Sequence, residues 1–180
     1  MKKILPIVVI ALFSFVFYEV YTQATKSVKV KRVECQSKTV TFEKIFVEEP
    51  IKESINLFLT NNYEVNSHME YSKYMKSHLK DILTKEQADK LLENVIKAYV
   101  KDKVASQEKV SINYYIYEND KEDTGKKGAK SKLYAGYLVF EFKLGNKLIY
   151  KIQTDYMDID AKDVAQRMDC AINSFVSIIK

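Results

Sequence analysis

The residue pattern predicts an α+β domain: a mainly antiparallel sheet, made of an N-terminal hairpin plus a three-stranded meander, with helices packed mostly on one face. Three observations lead there. Hydrophobicity alternates with a period of two towards both flanks of the chain. It recurs at helical spacing through the middle and again at the C-terminus. Only four glycines and two prolines among 180 residues interrupt these patterns. A hydrophobic content of 47% beside 29% charged residues suits a folded chain rather than a disordered one.

A segment of different character precedes the first strand. Lys2 and Lys3 stand before an apolar run from Ile4 to Tyr18, which Glu19 closes. The run has the length of an export-signal core and falls short of the roughly 18 to 20 residues a spanning helix needs. A small residue at Ala24 offers a cleavage point. Residues 1–24 are therefore expected to be a signal peptide or an uncleaved N-terminal membrane anchor, and residues 25–180 a single α+β globular domain. The expected location is periplasmic or otherwise extracytoplasmic, either soluble after cleavage or anchored to the inner membrane. Lys26, Lys29, Lys31 and Arg32 argue the other way, because positive charge beside a span favours the cytoplasmic side. The same cluster offers contact with anionic lipid.

Residues 27–35 alternate through Val28 and Val30, then Val33 and Cys35, and residues 39–47 through Val40 and Phe42, then Ile45 and Val47. Two strands with bulges, joined as a hairpin, are expected. Pro50 suits a first helical turn, and Ile51, Ile55, Phe58 and Leu59 then share one side until Asn61-Asn62. Ser67 with Glu70 spells a capping box, followed at helical spacing by Tyr71, Met75, His78, Leu79 and Ile82. Thr84 with Gln87 spells another, opening a helix striped by Ala88, Leu91, Leu92, Val95 and Tyr99.

From Val110 the period is two, with Val110, Ile112, Tyr114 and Ile116 on the core side and Ser111, Asn113, Tyr115 and Tyr117 opposite. Residues 132–144 are apolar on both phases, which predicts an inner strand covered on both sides. Gly145-Asn146 then turns into a strand over residues 147–156. Asp160 is expected to cap a last helix lined by Val164, Met168, Ala171, Ile172 and Phe175. Residues 118–132, with Gly125 and Gly128, are expected to form a mobile hairpin loop.

Cys35 and Cys170 are expected to form a disulfide in an oxidising compartment. Cys170 falls off the apolar stripe of its helix, which places the bridge on an outer flank, or between two chains.

Catalytic signatures are few. His68 and His78 point apart on the expected helix, so no metal site is assigned. No nucleophile elbow and no active thiolate are present. Asp155, Asp158, Asp160 and Asp163 cluster near the last helix, where acids ordinarily satisfy free amides, although a pair of them could serve a hydrolase. Residues 120–131 lack the terminal Glu of a calcium loop, and Gly125-Lys126-Lys127-Gly128 lacks the spacing of a phosphate loop. No cofactor is assigned. Basic residues alternate with acids despite a formal net charge of +5, which excludes a nucleic-acid stripe.

What remains is aromatic. Thirteen tyrosines concentrate on the central strands, and Tyr115, Tyr117, Tyr134, Tyr137 and Tyr150 could floor a groove for a peptide or glycan. Lys126 and Lys127 on the charged hairpin are the other candidate contacts. The expected function is a non-enzymatic binding or assembly module of the bacterial-type envelope, serving a partner protein, a cell-wall polymer or a membrane component. The alternative is a carboxylate-dependent hydrolase or a small-ligand carrier in the same compartment.

Overall fold

The computed structural model describes residues 31–46, 49–101, 103–126 and 128–179. The export segment, Lys26, Lys29, Val47 and the last residue, Lys180, lie outside them. No helix of the described residues is long and apolar enough to cross a membrane.

The described residues form a five-stranded sheet and four α-helices, an α+β architecture. In chain order they are β1 (Thr41–Ile45), α1 (Glu49–Leu59), β2 (Tyr63–Glu70), the single-turn α2 (Leu79–Ile82), α3 (Lys85–Lys97), β3 (Val110–Glu118), β4 (Gly136–Leu144), β5 (Lys147–Tyr156) and α4 (Val164–Val176). The strand order is β1-β5-β4-β3-β2. The sheet is mixed: β3, β4 and β5 make the expected antiparallel meander and β1 adds antiparallel to β5, whereas β2 runs parallel to β3.

Two expectations fail here. No N-terminal hairpin forms among the described residues, because Glu34–Ser37 is a 3₁₀ turn and β1 finds its partner in β5. Nor does a helix start at Ser67, which lies inside β2 opposite Tyr114. Parallel pairing along all eight residues of β2 satisfies more backbone than the local capping box could. Only Leu79–Ile82 of the expected helix coils.

The other helices follow their sequence signals. In α1, Ile51, Ser54, Ile55 and Phe58 are buried at helical spacing, and Asn61 ends the helix at φ 61°. In α3 the Thr84 hydroxyl accepts from the Gln87 amide while the Gln87 side chain accepts from the Thr84 amide, the predicted reciprocal cap. Such a cap contributes about 1 kcal/mol. At the start of α4, the expected cap Asp160 instead pairs with Lys162.

One face of the sheet meets α1, α3 and α4 and holds the core. Ile112, Tyr114 and Ile116 of β3 lie beside Leu138, Phe140 and Phe142 of β4, then Tyr150 and Ile152 of β5, all buried. Phe142 stacks on Phe175 of α4 with centroids 4.0 Å apart, and Phe58 of α1 meets Phe175 edge-on. β4 is therefore covered by helices on one side only, and its second apolar phase belongs to the open face.

The outer flank of α4 is covered as well. Cys35 and Cys170 are bonded within the chain, with Cα atoms 5.7 Å apart across 135 residues of sequence. Gln36 donates to the Ser174 hydroxyl at 3.0 Å, and Arg32 reaches both the Ser174 carbonyl and Glu43. Cys170 is 1% exposed and Cys35 half-buried, so the bridge lies on the outer flank of α4, as expected, beneath the turn that covers it. The 3₁₀ turn roofs a helix face that its sequence marks as polar. Closing a loop this long contributes up to about 5 kcal/mol in the chain-entropy account. The pairing suits an oxidising compartment.

Candidate functional site

The face of the sheet turned away from the helices carries the candidate site. Strand alternation puts every second residue there, and cross-strand register sorts them into rows. One row is Glu70, Tyr117, Tyr137 and Asp155; the next is His68, Tyr115, Val139, Gln153 and Phe42; a third is Asn66, Asn113, Glu141, Lys151 and Lys44.

The aromatic groups of these rows touch. Tyr117 and Tyr137 stack with centroids 4.7 Å apart and planes 15° apart, Tyr115 stacks beside Tyr117 at 6.2 Å, and His68 meets Tyr115 edge-on. Two depressions share this floor. One, of about 430 Å³, runs over Tyr115, Tyr117, Tyr137, Val139, Glu141 and Lys151. The other, of about 460 Å³, continues past Tyr117 and Tyr137 to Tyr134, Lys126, Glu70 and Tyr74. The two meet at Tyr117 and Tyr137, with a Lys151–Glu141 ion pair of 2.8 Å beside the first and Lys126 6.0 Å over the Tyr134 ring beside the second.

The structure thus brings together Tyr115, Tyr117, Tyr137, Tyr134 and Lys126. Lys127 lies outside the described residues. Tyr150 is a correction: it is 0% exposed on the helix side, where its hydroxyl donates to Glu43 at 2.6 Å. It shares the strand phase of Ile152, and that phase faces the core. Arg32, expected to be available for lipid, is engaged by Glu43 at 2.7 Å.

The loop beyond β3, expected to be a mobile hairpin, is tied by hydrogen bonds at both ends. Glu118 accepts from the amides of Ser72, His78 and Leu79 and from the Ser77 hydroxyl. Asp120 accepts from the amides of Lys73, Tyr74 and Met75. Burial pushes the Glu118 carboxyl up, but these donors outweigh it and hold the group below its usual range. Asn119 donates to the carbonyls of Ser131 and Tyr134, which fixes the far side of the same loop. Glu118, Asn119 and Asp120 are therefore the struts of the groove wall.

The aspartates near α4 separate in the same way. Asp163 accepts from the amides of Met157 and Asp158 and pairs with Arg167, and Asp158 accepts from the Asp160 amide. Asp155 differs from all of them. It points to the open face, 6% exposed, and its carboxyl is pushed up to about 6 by burial. No group of three His, Cys, Asp or Glu side chains among the described residues is placed to hold a metal ion.

No family model matches the chain, and no curated protein matches it. Among solved structures it is similar to two crystal forms of the PelC dodecamer from Paraburkholderia phytofirmans. A point variant of that protein shows a TM-score of 0.40 at 10% identity, over 76% of this chain and 98% of that one. The second crystal form shows 0.39 at 11% identity, over 78% and 99%. Likeness at this level carries nothing about function.

Proposed function

We propose that this chain is a non-enzymatic binding or assembly module of a bacterial-type envelope, which holds a partner protein or envelope polymer in the groove on the open face of its sheet. One observation carries the reading. All three long helices pack on the opposite face, while this face keeps a continuous floor of Tyr115, Tyr117 and Tyr137. Tyrosine supplies a large amphipathic contact at low entropic cost, which suits recognition without chemistry. The buried disulfide and the apolar N-terminal run support a periplasmic or other extracytoplasmic setting.

A second reading has an observation of its own. A groove of about 480 Å³ between β2 and α3, lined by Tyr63, Ser67, Asp89, Leu92 and Glu93, is of a size for a small ligand. The two readings separate experimentally. The full chain is used to capture its partner from intact envelopes, beside the Tyr117→Ala and Tyr137→Ala variants and a variant of the half-exposed groove residue Val65, Val65→Phe, that narrows the second groove. Loss of capture in the tyrosine variants, with unchanged circular dichroism, is the expected result. Capture lost only in Val65→Phe would move the site to the β2–α3 groove.

A further inference from the structure

Asp155 is the group on the open face that the fold itself leaves unexplained. Its side chain accepts no hydrogen bond and meets no cation among the described residues, and desolvation alone accounts for its shifted carboxyl. No fully buried polar atom of a described side chain lacks a partner, so the unpartnered oxygens reach the surface of the face. A carboxylate that has lost most of its water and gained no donor is a cost to the folded state.

Its neighbour supplies the other half of a seat. The Tyr117–Tyr137 separation of 4.7 Å matches the spacing of adjacent strands, about 4.8 Å, so the two rings stack across the sheet. One face of Tyr137 is thereby taken by Tyr117. The other turns towards β5, where Asp155 stands directly across from it in register. The register thus sets a ring that lines both depressions beside an unpartnered carboxylate. A planar guanidinium suits such a pair, since it lies flat on an aromatic face and offers a two-pronged donor to a carboxylate.

We propose that an arginine side chain of the bound partner protein seats between Tyr137 and Asp155, with Asp155 as its counter-ion and Glu70 at the far end of the same row reinforcing the attraction. The inference rests on the open-face reading of function. The charge around the row agrees: Glu70, Glu118, Asp120, Asp123 and Asp155 stand against Lys73 and Lys126. The groups facing Asp155 are Tyr137 from β4, Tyr134 from the loop before it and Val40 on the β1 side. Both tyrosine hydroxyls are pushed up, by burial first and then by neighbouring negative charge, and stay neutral at physiological pH. His68 lies one row away, edge-on to Tyr115.

The test titrates the isotope-labelled full chain with N-acetyl-arginine amide and follows the Tyr137 ring and the Asp155 carboxyl by NMR. N-acetyl-citrulline amide and a deacetylated amino-sugar oligomer serve as the comparison arms. Saturable shifts with arginine, none with citrulline, affinity falling about tenfold from about pH 7.5 to about pH 5, and loss in Asp155→Asn are expected. His68→Gln must retain the pH dependence. Equal binding of citrulline, indifference to Asp155→Asn, or binding of the amino sugar without arginine would overturn the assignment. If arginine fails while the tyrosine variants still release the native partner, the seat falls and the binding face stands. If arginine binds while partner capture ignores those variants, the seat stands and the wider reading falls.

Discussion

Glu118 and Asp155 lie at the same end of the sheet with only β4 between them, both nearly buried, and the fold treats them in opposite ways. Glu118 ends β3 on the helix side and is met by four donors from residues 72–79. Asp155, on the open side, is met by none among the described residues. Both pay desolvation, so the donors decide the sign: Glu118 is held below its ordinary range and Asp155 is raised to about 6. A satisfied buried carboxylate builds the molecule, whereas an unsatisfied one costs the folded state.

Linkage gives the two residues opposite pH signatures. For Glu118, with its folded value depressed, the stability it contributes is present above the unfolded value and is lost as pH falls through the folded one. For Asp155, with its folded value raised, the contribution is complete below the unfolded value near 3.8 and is lost as pH rises through about 6.

The largest effect expected from this contrast is that of Glu118→Ala. It leaves three amides and a hydroxyl without their acceptor and should lower stability by about 3 kcal/mol in urea denaturation. A loss below about 1 kcal/mol would mean that water replaces the carboxylate freely, and the comparison would break. Next in size is Asp155→Asn, which should raise stability by about 2 to 3 kcal/mol at neutral pH and by almost nothing near pH 4. A gain of equal size at both values would trace to packing instead of charge. Smallest is Tyr117→Ala, which removes one ring of a stacked pair and should cost about 1 kcal/mol in thermal unfolding while abolishing partner capture. A much larger cost would show that the aromatic row is part of the core.

Much of this architecture was legible wherever one local signal ruled. The alternation of residues 110–117 gave β3 and its two faces, Gly145-Asn146 gave the β4–β5 turn, and Thr84 with Gln87 gave the start of α3. Tyr115 and Tyr117 fall opposite the core side from period alone, whereas the two apolar phases of residues 132–144 leave Tyr137 unplaced until the helices are seen to cover one face only. The helix expected from Ser67 gives way to β2, whose own alternation is visible, with Val65 and Met69 on the phase of Tyr63, and Asn66 and Glu70 on the phase of Glu64. A chance capping box and a helical spacing beyond it competed with that pattern. The contacts that settled the matter come from β3 and from Glu118 and Asp120, more than 40 residues later in the chain. The phase of Tyr150 in its strand, shared with Ile152, assigns it to the core whatever its residue type. The expected strand over residues 147–156 already sets Asp155 apart from Asp158, Asp160 and Asp163, and the register then puts it opposite Tyr137.

One titration bears on the contrast most directly. Carboxyl carbon shifts of Glu118 and Asp155, followed by NMR in the same sample of the folded chain, should give Asp155 a midpoint near 6 and Glu118 one below its ordinary 4.5. If Asp155 titrates at its ordinary value near 3.8, it already has water or a donor in the free protein, and the account of an open seat on the sheet is wrong.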